Sequence, residues 1–324
     1  MTPNALRWNG SPGHYEVHYL TTTDPRTGVG LWIRSTMLAQ LDGEATCSLW
    51  FVATRPDGPP IARKATYPID RLQTEGAPFS LRIGESELTD RGYAGSFDDV
   101  AWELRWEPGT LYEHVHPALR RLKIAQTILT LPHADVAVHG TVTVPGIGEI
   151  ALDGAHGGQA HLWGAKHARR WTWAHCGDFA DPEGNPVPDT FLDGVSVIVP
   201  RLGREIGPSS PVVARLFGRD FTATSPLHVT RAPSHFALTS WHFEVRDGKR
   251  RVVGEVDAPR ESLVGVTYTD PDGERAYCYN SEVASMRLAV FDGDRFEGTL
   301  TSAGRAHFEY AQREPLPDLP LHLT

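Results

Sequence analysis

Between Gly157 and Asp178 the chain reads G-G-Q-A-H-L-W-G-A-K-H-A-R-R-W-T-W-A-H-C-G-D, gathering three of its nine tryptophans and three of its fifteen histidines. Gln159, His161, Trp163, His167, Trp171, Trp173 and His175 are all odd-numbered. In an extended strand, residues two apart share a face, so these side chains are expected to line one surface within each extended segment. Ala160, Leu162, Ala168, Thr172, Ala174 and Cys176 would line the other. Imidazole exchanges a proton near neutral pH, and an indole wall is both apolar and attractive to positive charge. Together they suit proton transfer to an apolar substrate, or stabilisation of a transient cation. The competing reading is that the tryptophans pack between domains and the histidines satisfy ordinary hydrogen bonds. A helix is also conceivable, since Trp163, His167, Trp171 and His175 are four apart, but Gly157, Gly158 and Gly164 argue against it.

Carboxylates flank the stretch at Asp153, Asp178 and Asp193, and an acid in an apolar pocket can serve as a proton donor. Asp178 is the nearest candidate, with a plain loop position after Gly177 as its alternative. Tyr277 and Tyr279 share a face of a later predicted strand and could offer hydroxyls to a lumen. His114-x-His116, beside Glu113, has a spacing that metals use, but no further ligand pattern accompanies it, so no metal is expected. The chain lacks G-x-S-x-G, a phosphate loop and G-x-G-x-x-G, and adjacent His175 and Cys176 would face opposite ways. No cofactor is expected.

The elements that must hold these residues read as strands. His14 to Leu20, Val29 to Leu38, Ala45 to Ala53, Val100 to Trp106, Lys123 to Leu131, Val136 to Val144, Val195 to Val199, Phe236 to Val245, Leu263 to Thr269 and Arg287 to Phe291 are rich in β-branched and aromatic residues. Turn chemistry separates them at Arg55-Pro-Asp-Gly58, Arg246-Asp-Gly248, Asp270-Pro-Asp-Gly273 and Asp292-Gly-Asp294. With 31 Gly and 25 Pro, long helices are disfavoured, and only Pro117 to Gln126 could form a short one. Short echoes (Pro60 to Arg63 with Val212 to Arg215, Gly140 to Thr143 with Gly298 to Thr301) suggest duplication. The expectation is an all-β chain of two similar domains, residues 1–165 and 166–324, with the Trp/His stretch at their junction.

A net charge of −9 with no long basic run argues against a nucleic-acid partner. The start of the sequence has no apolar leader, and no apolar run reaches a membrane-spanning length. Three scattered cysteines make no disulfide framework, so a reducing cytoplasm is expected.

The run Gln159-Ala-His-Leu-Trp-Gly164, followed by Trp171-Thr-Trp173, resembles the D-H-x-W-G and W-x-W pattern of the carotenoid hydratase, AttH-like and tocopherol cyclase-like family. Gly95 to Leu104 with Trp102, and Phe296 to Thr299, resemble further strands of that family. The resemblance implies two lipocalin-like antiparallel β-barrels, and cofactor-free chemistry on isoprenoid, polyene or polyketide molecules. His161 and Trp163 carry over from the motif, but its acidic residue is Ala160 here, so if that acid is the proton donor in relatives this chain must use another group or does not perform that reaction.

The function expected from these observations is a cofactor-independent cyclase, hydratase or isomerase acting on a lipophilic terpenoid or polyketide-like molecule. His161 and Asp178 would act on the substrate; Gln159, Trp163, His167, Trp171, Trp173, His175, Tyr277 and Tyr279 would surround it. The alternative is a non-catalytic carrier of a lipid or pigment, since a barrel lumen serves binding equally well.

Overall fold

The computed structural model describes residues 2–116, 120–121, 126–201 and 204–324. The first sheet contains β1 (His14–Thr23), β2 (Gly30–Ala39), β3 (Thr46–Thr54), β4 (Ile61–Pro68), β5 (Leu72–Gly76), β6 (Phe79–Ile83), β7 (Ser86–Thr89), β8 (Gly92–Phe97), β9 (Val100–Arg105), β10 (Tyr112–Glu113), β11 (Thr127–Val144) and β12 (Gly148–Gly164). The second contains β13 (Arg170–Cys176), β14 (Phe191–Arg201), β15 (Arg204–Ser209), β16 (Val212–Leu216), β17 (Arg219–Ala223), β18 (Ser234–Ala237), β19 (Ser240–Asp247), β20 (Arg250–Asp257), β21 (Val264–Thr269), β22 (Arg275–Asp292), β23 (Arg295–Gln312) and β24 (Leu321–Leu323). Among the described residues all pairings are antiparallel except β21 with β24. This is the two-barrel, lipocalin-like arrangement. A short helix, α1 (Pro226–Val229), was not expected from the sequence. The predicted helix at Pro117 to Gln126 falls largely outside the described residues.

The strand order repeats. The first sheet runs β4-β3-β2-β1-β12-β11-β9-β8-β7-β6-β5 and the second runs β17-β16-β14-β13-β23-β22-β20-β19-β18, so the second matches the first as far as β7. The sequence echoes do not follow this equivalence: Ile61 to Arg63 lie on β4 but Val212 to Arg215 on β16, the counterpart of β3. Similar strands select similar short words, so those matches carry no alignment.

Each sheet curls around its own core. Leu31, Ile33, Leu49, Phe51, Tyr93 and Trp102 fill the first. Trp241, Phe243, Phe221, Leu288 and Phe308 fill the second. Strand alternation sends the intervening residues outward into a seam between the sheets, where Trp32, Trp50 and Val52 meet Trp171, Val264, Val266 and Tyr268. Glycine permits this approach: a Cβ on Gly30 would stand 1.9 Å from the Glu282 carbonyl oxygen.

Candidate active site at the seam between the sheets

The Trp/His stretch is extended, as its alternation predicts, but its two halves face different interiors. On β12, His161 pairs with His18 of β1, and both point into the first sheet. His161 is fully buried; Nε2 meets Glu16 Oε1 at 2.7 Å and Nδ1 meets the Pro3 carbonyl at 2.8 Å. Gln159 donates to Asn4 Oδ1, and His18 Nε2 lies 2.8 Å from the Asn4 carbonyl. Residues 3 to 8 therefore seal this cluster, with the Arg7 and Trp8 amides donating to Glu16. Burial opposes charge on Glu16, but hydrogen bonds from His14 and His161, and the charge of His161, bring it down to about 2. Burial, reinforced by the neighbouring His161 charge, lowers His18 to about 3. Ligand atoms of Glu16, His18 and His161 come within metal-binding reach of one another, yet each is already engaged by the contacts above. Trp163 lies against His161, 4.6 Å between ring centroids, with Arg7 over its face.

On β13 the odd residues face the seam instead. Trp171, Trp173 and His175 point at the first sheet, while Ala174 and Cys176 enter the second core. His175 Nδ1 lies 3.1 Å from Asp193 Oδ2, His114 Nε2 lies 2.9 Å from Asp193 Oδ1, and the Trp173 indole donates to both oxygens. Burial would raise Asp193, but the bonds from His114 and His175 outweigh it, so the carboxyl is held below its ordinary range. Beside it, His307 Nδ1 meets Glu282 Oε2 at 2.6 Å. The sheets are in close contact here: a Cβ on Gly158 would stand 2.5 Å from His175 Nε2.

The seam opens further along. A hollow of about 120 Å³ is lined by Tyr15, Arg34, Trp50, His167 and Tyr268, and reaches solvent at exposed Thr66. His167, in the link between β12 and β13, stacks on Tyr15 at 4.4 Å, Trp171 at 5.4 Å and Tyr268 at 5.5 Å between centroids. Its Nδ1 lies 2.6 Å from Asp270 Oδ1, and Arg313 donates to Asp270 Oδ2 over 2.7 Å. Burial alone would raise Asp270, but the hydrogen bond and charge of His167 and the bond from Arg313 keep it lowered and ionised. A carboxylate holding Nδ1 fixes the ring and presents Nε2 for proton exchange.

The structure thus brings His167, Trp171, Trp173 and His175 to one seam and leaves Gln159, His161 and Trp163 on the far side of β12. Asp178 is in the loop after β13, paired with Arg305 at 2.6 Å. Tyr279 is buried in the second core, its hydroxyl accepting from the Leu316 amide, and Tyr277 packs against the same core. Both lie on the opposite face of β22 from the seam residue Cys278. Sequence reasoning missed Asp270, which it read only as a turn residue, and Arg34, Glu16 and His18, whose partners are remote in the chain.

Two antiparallel barrels packed across a polar, aromatic seam define the calycin-type two-barrel class. No family model matches the chain. The uncharacterized proteins Rv0493c and MT0513, from two strains of Mycobacterium tuberculosis, are each 30% identical to it over 313 residues, 95% of this chain and 89% of theirs. The chain belongs to their family. Its fold is that of the AttH-like group. The AttH protein NE1406 of Nitrosomonas europaea superposes with a TM-score of 0.59 at 12% identity, over 96% of this chain and 98% of that one. CghA in complex with Sch210972 gives 0.60 at 8% identity, over 97% and 94%. Kievitone hydratase from Nectria haematococca gives 0.56 at 9%, over 94% and 90%. No helix among the described residues is long and apolar enough to cross a membrane.

Proposed function

We propose that the protein is a hydratase- or cyclase-type enzyme whose substrate enters the seam, with His167 transferring the proton and Asp270 positioning it. The observation carrying this reading is the Asp270–His167 pair at a hollow walled by Tyr15, Tyr268 and Trp50. Stacked aromatic rings beside a fixed imidazole suit protonation of an alkene and shelter of the cation that results. The hydratase among the structural relatives supports the reaction class. The substrate in this reading is a lipophilic molecule of terpenoid, polyene or polyketide type from secondary metabolism. In this reading the two sheets correspond to two domains, 1–165 and 166–324, and the site lies between them; the separate strand orders of the two sheets support this. Three buried, unpaired cysteines support a cytoplasmic setting. His161, with both ring nitrogens occupied, holds the amino-terminal segment in place and has no role in proton transfer.

Extracts of the host incubated with the protein test this by mass spectrometry. Conversion of a metabolite to a product heavier by one water, or to an isomer, is expected. His167→Ala should slow it by about a hundredfold or more. Equal conversion by the variant refutes the assignment. A ligand bound tightly and recovered unchanged favours the carrier reading instead.

A further inference from the structure

Arg34 stands apart from the other buried charges of the seam. Asp193, Glu282 and Asp270 each hold a histidine, and Glu309 accepts from the Trp171 indole over 2.6 Å. Arg34 is 7% exposed, and among the described residues its Nε has no hydrogen-bond partner and no carboxylate lies within ion-pair distance. Its guanidinium lies 4.3 Å from the centroid of Tyr268, 5.3 Å from Trp32 and 5.6 Å from Trp50. Aromatic faces offset part of the desolvation of a cation, but they leave its in-plane N–H donors unused. A buried donor without an acceptor is costly, so a fork of donors beside an open hollow is a binding element awaiting its counterpart. Lys64, the second cation at the rim, is already engaged by the Thr324 carbonyl oxygen at 2.8 Å and by the Trp50 face at 4.1 Å. One uncommitted guanidinium matches one negative charge.

We propose that Arg34 binds a carboxylate on the substrate, so that the substrate is an amphipathic monocarboxylic acid. The carboxylate sits in the hollow, and the apolar body lies along Trp50 and Tyr268. This rests on the seam being the substrate site and adds to it the chemical class of the molecule. A planar carboxylate fits the flat fork of a guanidinium two bonds at a time, whereas a neutral amide of the same shape must turn its own donors towards it.

Benzoate and benzamide, equal in shape and different in charge, test this on the intact protein by ligand-observed NMR and tryptophan quenching. Wild-type protein is expected to bind benzoate at least about tenfold more tightly than benzamide. Arg34→Met should erase that preference. Should that variant fail to fold, Arg34→Lys decides: a compact ammonium lacks the fork, and the preference should fall at least about threefold. Equal affinities in wild-type protein, absence of benzoate binding, or a preference undiminished by the substitution overturns the proposal. None of these results bears on turnover by His167, and normal turnover in His167→Ala with selective benzoate binding would refute the mechanism while leaving the carboxylate site intact.

Discussion

Glu16 offers a test that needs no substrate. Its carboxylate is fully buried and accepts from the Arg7 amide at 2.7 Å, the Trp8 amide at 2.9 Å, His14 at 2.9 Å and His161 at 2.7 Å. Burial works against its charge, but these partners lower it from the usual 4.5 to about 2. A folded-state value depressed in this way contributes stability that is complete above the unfolded value. That contribution is lost as pH falls through the folded one. The gap corresponds to about 3 kcal/mol, present at neutral pH and gone near pH 2. Glu16→Gln keeps the shape and removes the charge, so it should be about 3 kcal/mol less stable at pH 7 and close to wild type near pH 2. Urea unfolding followed by tryptophan fluorescence at several pH values measures both. If the two proteins lose stability in parallel between pH 4.5 and pH 2, Glu16 does not hold the amino-terminal segment as described.

His18 should act in the same direction over a higher range. Its value, lowered to about 3, keeps it neutral when folded, so stability declines as pH falls from 6.5 towards 3, and His18→Asn should flatten that slope in thermal melts. Asp193→Asn leaves His114, His175 and the Trp173 indole without their charged acceptor, and should cost about 3 kcal/mol in chemical unfolding. Gly30→Ala places a Cβ 1.9 Å from a backbone oxygen across the seam, and should lower the melting temperature sharply; an unchanged melt would refute the close contact. The Cys176 thiol, pushed up to about 12 by burial, should react with a disulfide reagent only after unfolding.

Much of the fold was legible because strands announce themselves by alternation and turns by Pro, Asp and Gly. The four predicted turns all join consecutive strands, from β3–β4 to β22–β23. The stretches Lys123 to Leu131 and Val136 to Val144 read as two separate strands. From Thr127 onward, β11 instead carries through with register shifts around His133. The site was harder. Alternation placed Trp171, Trp173 and His175 on one face correctly, but it says nothing about which side of a sheet a face meets. His161 and Trp171 have the same parity, yet the link at residues 165–169 passes the chain to another sheet, and the faces diverge. His167 was among the expected residues, whereas its partner Asp270 comes 103 residues later, and no local pattern announces such a pairing. Arg34 gave no signal either, since an alternating strand accepts an arginine at any outward position.

The seal over the first barrel also ties together distant parts of the chain. Asn4 and Pro3 bind Gln159 and His161, which follow them by 155 and 158 residues. Residues 3 to 8 are held jointly by Glu16 and His18 of β1 and by Gln159 and His161 of β12, so parting those two strands would loosen the segment. Conversely, release of that segment would expose the Glu16–His161 pair to water.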